Sequence, residues 1–416
     1  MTITPEPISI AFIGAGNITF GNDNVLWNHS SRLEHLLGDR LSVSAIIDPN
    51  PARVESVLAQ KRASPPAVAN AYADTKYFSS VTPEALDYLK QAKLDLIIIG
   101  APPAYRGTTI TGRNLELLLI DGYGSTPIPP LFIEKPVATT RPDEPLEVAV
   151  RIGKAPQHVT TGMGYMFRYL KVVQKLVSII RENNLTVMSI VARYANAYAR
   201  VRKPEWWSKR EQGGPIIEQA THFCDLMRYI AGVEVDLNSV KATALEYYEP
   251  AGKLSHQCID ESALIPEEER IPRCTSAFWK FENGAIGTLI HIVALHGIRF
   301  SNEIAVYADG YQLRLCELYT NPTLYVRSPE SDTTEKVYNY PDDDPFFNEM
   351  ETFVSVSAKM SGKQPLATAT AESSSPDVPP PSPNILTSYE DACQTFALTW
   401  KIRDESEIKS NSGKSA

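Results

Sequence analysis

The sequence has few of the features that mark nucleic-acid-binding, membrane or disulfide-bonded proteins. Its 416 residues carry a formal net charge of -9 and no basic cluster, so we expect neither nucleic acid nor anionic membranes as partners. No apolar run approaches the roughly 20 residues of a membrane-spanning helix, and Met1–Pro7 lacks the positive region of a signal peptide. The five cysteines are odd in number and have no CxxC spacing. This usage is typical of reduced thiols in a cytoplasmic protein and argues against zinc.

The first part of the chain alternates short apolar runs with helical patterns. Unbroken apolar strands separated by helices indicate a parallel sheet covered on both faces. We therefore predict an α/β domain at residues 1–164. Its expected strands are 8–13, 41–47, 94–99, 131–133 and a further one within 157–164, with helices around 25–37, 52–61, 83–91 and 109–119.

The second part, residues 165–416, changes character. Strand patterns follow one another and are joined by tight turns such as Glu282-Asn283-Gly284 and Asp309-Gly310, which predicts a mostly antiparallel sheet. A helix around residue 220 precedes most of these strands, so we predict an α+β domain with a large open sheet. Residues 367–384 are rich in Ser, Pro, Thr and Ala and are predicted to be a disordered insertion.

A nucleotide-binding pattern follows the first strand. The run Gly14–Thr19 has the first two glycines of a dinucleotide fingerprint, for a tight turn and for close approach of a pyrophosphate. Asp48 closes the second strand, where a carboxylate bonds both ribose hydroxyls and repels a 2′-phosphate. This favours NAD over NADP, although the nearby Arg53 weakens the preference. The alternative is that Asp48 only caps the next helix.

A glycine-containing run, Gly213–His222, leads into a helical pattern in the second part. Glu218, His222, Asp225 and Tyr229 follow at i, i+4, i+7 and i+11, so one continuous helix would place them on one face. A carboxylate one turn before a histidine can orient the imidazole for general acid/base work. The alternatives are a structural histidine, or a metal site made by the first three residues. Without a second His/Cys cluster, we predict no metal.

These motifs together resemble the Gfo/Idh/MocA oxidoreductase family over roughly residues 8–300. The resemblance rests on the Gly14/Gly16 turn, Asp48, Ala101-Pro102-Pro103, Glu134-Lys135-Pro136 and Gly213…Glu218…His222…Asp225. It implies a Rossmann dinucleotide-binding domain, then a substrate domain whose open sheet often forms a homo-oligomer interface. It also implies an NAD-dependent oxidoreductase, with NADP as the alternative cofactor. The expected reaction moves hydride to or from a CH–OH carbon of a sugar, cyclitol or related polyhydroxylated small molecule.

The resemblance assigns roles to individual residues. Lys135 matches the lysine that contacts substrate hydroxyl and nicotinamide, and His222 matches the general base. Glu218 stands where the family usually has Asp and is taken as a supporting catalytic residue. Arg168 matches an arginine near the substrate. The implied cofactor-binding set is Gly14, Gly16, Asn17, Ile18, Asp48, Ala101, Pro102, Pro103, Glu134 and Lys135, and the substrate set is Arg168, Trp207, Glu218 and His222.

Several alternatives stay open from the sequence. Lys135 can be a solvated surface lysine, and Trp206-Trp207 can be core residues instead of a stacking platform. Family relatives also include enzymes that use NAD transiently in elimination or glycoside hydrolysis without net redox change, and non-catalytic regulators that sense a cofactor. The substrate's identity does not follow from one sequence. Whether Arg270, Arg273, His291 and His296 reach the site is equally open.

Overall fold

The computed structural model describes residues 6–22, 27–364, 378–380 and 382–412, which form two compact units. The first unit comprises the described residues within Met1–Tyr169, Asp344–Ser375 and Pro380–Cys393. The second comprises those within Leu170–Asp343, Pro376–Pro379 and Gln394–Ala416. This differs from the single division that we predicted after residue 164, because the chain returns to the first unit.

A six-stranded parallel sheet organises the first unit. Its order is β3-β2-β1-β4-β5-β6. The order reverses between β1 and β4, and ligands of such sheets bind in the crevice at the carboxyl ends of the strands at that point. The strands are β1 Ile8–Ile13, β2 Leu41–Ile47, β3 Lys76–Phe78, β4 Leu96–Ile99, β5 Leu131–Ile133 and β6 Thr161–Met163.

Helices separate these strands, as the alternating pattern predicted. Several begin with a capping side chain followed by proline, which suits a first helical turn: Asn50 and Thr82 accept the N–H of Arg53 and Ala85. The helices are α1 Asn17–Phe20, α2 His29–Leu37, α3 Pro51–Arg62, α4 Pro66–Ala71, α5 Pro83–Gln91, α6 Leu115–Tyr123 and α7 Asp143–Gly153.

An eight-stranded sheet organises the second unit, in the order β14-β13-β12-β11-β7-β10-β9-β8. Only the β7–β10 pair is parallel, so the predicted mostly antiparallel sheet is confirmed. The elements are α8 Lys171–Glu182, β7 Val187–Ala197, α9 Lys209–Gln212, α10 Pro215–Glu218, α11 Thr221–Ala231, β8 Val235–Leu245, α12 Glu261–Leu264, β9 Cys274–Phe281, β10 Ile286–Leu295, β11 Ser301–Ala308, β12 Tyr311–Cys316, β13 Thr323–Ser328 and β14 Ser331–Asn339.

Two helices follow the second sheet along the chain, α13 Pro345–Met360 and α14 Tyr389–Ser412. Met350, Phe353 and Val354 of α13 are fully buried in the hydrophobic core of the first unit, which explains why the chain returns there. Of the insertion predicted at 367–384, residues 367–377 and 381 lie outside the described residues. No helix in the described part of the chain combines the length and apolarity needed to cross a membrane.

Candidate active site

The glycine turn after β1 passes close to the loop that follows β4. Gly14 has φ +99°, and a Cβ there would lie 2.6 Å from the backbone nitrogen of Ala101. Only glycine therefore allows this close pass between the loops after β1 and β4. Gly16 caps α1 and is exposed, and a Cβ there would meet no atom within 4 Å. Open space thus lies over the first turn, next to the exposed Asn17 and the half-buried Ile18.

Thr19 explains how the chain tolerates a departure from the glycine fingerprint. Its side chain is fully buried, and a Cβ on Gly100, directly after β4, would overlap Thr19 Oγ1. The fingerprint's last glycine normally permits close packing of helix on strand. In this protein the helix carries Thr19, and the glycine that permits close packing is Gly100 at the end of the strand.

Asp48 is joined to the glycine turn. Its Oδ2 accepts the N–H of Ala15 at 2.6 Å, and its Oδ1 accepts the N–H of Asn50 at 2.8 Å. The cap of α3 is Asn50, so Asp48 is not the helix cap that the alternative required. Arg53 donates from Nε to Ala15 O and from Nη2 to Gly21 O, both at 2.9 Å. Two of its donors thus brace the loop.

The Glu134-Lys135-Pro136 loop follows β5, next to the switch point of the sheet. Lys135 is half-buried, and the Lys135–Pro136 peptide bond is cis. Glu134 is 7% exposed, and its Oε2 accepts the Lys135 N–H at 3.2 Å. In the neighbouring loop Pro102 is exposed and Pro103 starts a short 3-10 helix. Lys135 therefore lies where a catalytic side chain of such a sheet is expected.

Arg106 joins these two loops and was not singled out from the sequence. Its side chain is fully buried and donates to the carbonyl oxygens of Ala101 at 3.0 Å, Val137 at 2.9 Å and Glu134. Burial lowers the pKa of Arg106, and the Glu116 carboxylate opposes that shift. A charged residue after a Pro-Pro pair usually indicates a solvated loop, so no local signal identifies this role.

In the second unit, the helix predicted to be continuous is broken between Glu218 and His222. α10 ends at Glu218 and α11 begins at Thr221, so the single continuous helix that we predicted is wrong. Gln219 lies at the break, and its Oε1 is 2.9 Å from His291 Nε2 and accepts the amide of Asn196. The buried triad Asn196–Gln219–His291 therefore lies at the interruption.

The four polar residues of the predicted helix face differ in burial and in their partners. His222 is 6% exposed, and Glu218 is half-buried. Asp225 Oδ1 accepts a hydrogen bond from Thr395 of α14 at 3.1 Å, and Tyr229 accepts one from Gln174 of α8 at 2.9 Å. Asp225 and Tyr229 therefore link α11 to α14 and to α8, respectively. The apolar stripe is confirmed: Phe223, Leu226, Met227 and Ile230 are all buried.

Electrostatics around this segment is dominated by burial. Burial lowers the pKa of His291 to about 3, so the triad is neutral at physiological pH. Burial also raises the pKa values of Tyr194 and Tyr319, and the Glu218 carboxylate adds to both shifts. The rings of these tyrosines are stacked at 5.8 Å. Among the described residues, no group of three or more His, Cys, Asp or Glu side chains is arranged to hold a metal ion.

Two other residues that the sequence assigned to the substrate, Trp207 and Arg168, are buried and bonded to other parts of the protein. Trp207 is fully buried in a local core with Tyr198 and Ile271, and its Nε1 donates to a carbonyl at 3.2 Å. It is therefore a core residue, the alternative that the sequence left open, and no ligand-facing surface supports the predicted substrate contact. Arg168, in the first unit, is buried and bonds Leu386 O at 2.6 Å and Asp391 at 2.7 Å.

Three further residues left open by the sequence have structural partners. Arg273 forms a buried pair with Glu261 at 2.5 Å, and His296 Nε2 lies 3.2 Å from the Tyr198 hydroxyl. Arg270 lies over the Tyr247 ring. Aromatic and carboxylate neighbours of this kind stabilise the second unit.

Comparison with protein-family models matches both parts of the chain. A model described as oxidoreductase family, NAD-binding Rossmann fold, matches residues 8–162. A second model, for an oxidoreductase C-terminal domain, matches residues 168–311. An uncharacterized protein of Schizosaccharomyces pombe, UNK4.17, is 44% identical over 354 residues, which cover 84% of each chain.

Solved structures share the whole fold at low sequence identity. Aldose-aldose oxidoreductase from Caulobacter crescentus, complexed with glycerol, is 12% identical with a TM-score of 0.64, covering 97% of this chain and 98% of that one. The super-repressor mutant of Gal80p from Saccharomyces cerevisiae is 14% identical with a TM-score of 0.69, covering 97% of this chain and 96% of that one. At such identities the likeness extends to the fold alone.

Proposed function

The chain belongs to the Gfo/Idh/MocA oxidoreductase family, with its NAD-binding Rossmann fold, and from that premise we propose an NAD(P)-dependent dehydrogenase or reductase. The proposed reaction transfers a hydride between nicotinamide and a carbinol or carbonyl carbon of a sugar, cyclitol or related polyhydroxylated small molecule. The observation that carries the proposal is the pair of loops at the switch point. Gly14 passes against Ala101 there, and Arg106 ties Ala101 to Glu134, next to Lys135.

The residues present fit a dinucleotide. Gly16 leaves room over the first turn of α1, and Asp48 lies at the end of β2 for the adenosine ribose. Both oxygens of Asp48 keep a lone pair for a ribose hydroxyl beside their backbone bonds. The carboxylate favours NAD over NADP, and the bonds of Arg53 to the loop support the same preference. When bound, the cofactor supplies the hydride acceptor or donor at C4 of its nicotinamide ring.

We assign the proton and charge work to Lys135 and His222. The Lys135 ammonium stabilises the alkoxide that develops on the substrate oxygen. His222 takes the hydroxyl proton in oxidation and returns it in reduction. Glu218 supports the reaction by orienting His222 or by bonding a substrate hydroxyl.

The test combines single and double substitutions. Lys135→Ala and His222→Ala should each lower kcat by about 10²- to 10⁴-fold, while NADH still binds. The kcat of the double variant should be within about tenfold of the kcat of the less active single variant. The effects of two residues that act on the same step are not additive. Nicotinamide absorbance with glucose, myo-inositol and related polyols measures turnover. Lys154→Ala and His158→Ala, at exposed positions, are matched controls, and full activity of both active-site variants would overturn the assignment.

Two alternatives have distinct signatures. A cofactor-sensing regulator is the first alternative, since Gal80p shares the fold. Capture of a stoichiometric protein partner together with no polyol turnover would support it. A lyase or glycosidase would retain NAD tightly and convert substrate without net change in nicotinamide absorbance. The acid/base set Lys135, Glu218 and His222 supports an enzyme over a sensor.

We also propose a cytoplasmic homo-oligomer that acts on a small-molecule substrate without nucleic acid or membrane partners. The scattered free cysteines support the location. The outer face of the eight-stranded sheet supports self-association. Apolar side chains there lie on neighbouring strands, with Phe278 55% and Ile286 46% exposed. Contiguous exposed apolar surface of this kind usually marks an interface.

A further inference from the structure

A buried histidine contacts the Glu134-Lys135-Pro136 loop from the helix α2. His29 is fully buried, and its Nε2 lies 2.6 Å from Glu134 Oε1. The two residues are 105 positions apart in the sequence. The rings of Phe132 and Phe346 stand edge-on to the imidazole at 5.1 and 6.0 Å. The histidine is therefore held in an apolar environment with one strong polar contact.

The hydrogen-bond inventory fixes where the proton of this histidine lies. An ionised carboxylate only accepts, so Nε2 carries the hydrogen and donates it to Glu134. Nδ1 is buried with no hydrogen-bond partner among the described residues, and a proton there would be an unsatisfied buried donor. The geometry thus selects the arrangement in which Nε2 of His29 donates to Glu134.

The carboxylate of Glu134 joins His29 to the backbone of Lys135. Its Oε1 is held by His29, and its Oε2 accepts the Lys135 N–H at 3.2 Å. Arg106 holds the Glu134 carbonyl oxygen from another direction. Arg106 therefore fixes the main chain of the loop, whereas His29 fixes the side chain that bonds the next amide.

We propose that His29 is a positioning residue that, through Glu134, sets the position of Lys135; its catalytic consequence rests on the proposed function. The His29–Glu134 pair makes Glu134 a brace of the loop in addition to any contact that it makes with the cofactor. A displacement of about 1 Å at a catalytic group can cost about a hundredfold in rate. Loss of the His29 donor should therefore reduce turnover although His29 does not touch the substrate.

The first test measures the brace without any substrate. His29→Leu removes the donor at similar volume, and His29→Gln keeps a donor near the position of Nε2. Hydrogen–deuterium exchange at the Lys135 amide should be about fivefold faster in H29L, as expected for loss of one hydrogen bond, and near wild type in H29Q. Leu33→Ala is the matched control, because Leu33 lies on the same helix, is fully buried and belongs to the hydrophobic core. Unchanged exchange in folded H29L overturns the proposal.

A second variant covers the case in which H29L does not fold. Glu134→Gln keeps the size of the side chain but replaces one acceptor by an amide donor, so it can satisfy only one of the His29 and Lys135 N–H groups. The retained oxygen should stay with the fully buried His29 donor, because an unsatisfied donor costs most there. E134Q should therefore also speed exchange at Lys135, and unchanged exchange in a folded E134Q protein counts against the brace.

Activity with NAD⁺ and the polyol that the wild type oxidises provides the functional readout. H29L should lower kcat by about tenfold or more with little change in KM, H29Q should restore it, and L33A should not reproduce the loss. If the exchange results hold but the wild type turns over no polyol, the proposed function fails and the brace stands. If the wild type is active and H29L keeps both its kcat and its exchange rate, the brace fails and the proposed function stands.

Discussion

At the scale of single residues, the two glycines of the turn after β1 should have different roles, Gly14 in folding and Gly16 in cofactor binding. Gly14 needs its positive φ and its missing Cβ to pass Ala101, whereas Gly16 has φ -70° and no neighbour within 4 Å. Gly14→Ala should therefore lower the melting temperature by several degrees, since the left-handed conformation alone costs about 1–2 kcal/mol. Gly16→Ala should leave melting unchanged but raise the NADH dissociation constant about tenfold, because its methyl group occupies the space over the phosphate-binding turn.

Thermal unfolding and NADH fluorescence titration check this pair. Gly153→Ala, at another glycine with no atom near a built Cβ, controls for the substitution itself. If Gly16→Ala binds NADH as tightly as the wild type, the pyrophosphate is not held at this turn.

Local and long-range residues differ in how far the sequence predicts them. Gly14, Asp48 and Lys135 could be found because each follows an apolar strand with a recognisable motif. Arg106 and His29 could not, since their roles depend on contacts with Glu134, 28 and 105 positions away. Trp207 shows the opposite error: an aromatic pair beside a glycine loop suggests a ligand platform, but packing against Tyr198 and Ile271 buries it.

At the scale of elements, apolar runs predicted strands correctly, whereas the apolar pattern around residue 220 predicted one continuous helix where the structure has two. Ile8–Ile13 and Leu41–Ile47 have the predicted bounds, because a strand buried on both faces needs an unbroken apolar run. The exposed β14 was missed, as it lacks that signal. Gln219-Ala220 contains good helix formers, so nothing local predicts the break between α10 and α11. The bonds of Gln219 to Asn196 and His291 come from distant strands.

The triad at this break makes stability depend on pH. The folded-state pKa of His291 is lowered to about 3 by burial from the ordinary 6.5, so below about pH 6.5 the unfolded chain binds a proton that the folded chain does not. The stabilisation is complete above pH 6.5 and is lost as pH falls towards 3. His291→Gln keeps a neutral hydrogen-bonding side chain and should lose less stability on acidification, by about 3 kcal/mol between pH 7 and 4.

Urea unfolding at pH 7 and pH 4 measures this difference. His158→Gln makes the same substitution at an exposed histidine and should follow the wild type. Equal acid sensitivity of H291Q and the wild type would show that His291 is not buried as a neutral group.

At the scale of the whole molecule, composition predicted two parts and their fold classes but not the path of the chain between them. The alternating first part and the strand-rich second part each became the expected kind of sheet. The division depends on α13, which follows the second sheet in the sequence but whose Phe353 and Val354 lie in the core of the first unit. A helix docked by its apolar face contributes no local signal about which sheet it covers.

The outer face of the second sheet gives the last prediction. The registers align Val191 of β7 with Thr288 of β10, and Thr288 with Phe278 of β9. Tyr307 of β11 and Ile286 of β10 flank Ser189 in the next row. All except Thr288 and Ser189 are exposed apolar or aromatic side chains, so four neighbouring strands present a patch rich in exposed apolar side chains. A second copy of the chain can bury this patch through a symmetric contact.

Phe278→Asp should therefore shift the protein to monomers, because pairing the patches would bury an unpaired carboxylate on each copy. Light scattering after size-exclusion chromatography measures the mass. Val150→Asp places the same charge at an exposed apolar residue of α7 and should leave the mass unchanged. Since the substituted side chain faces solvent in the single chain, the melting temperature at low protein concentration should change little. Monomeric wild-type protein, or an F278D oligomer of unchanged mass, would assign the patch to something other than self-association.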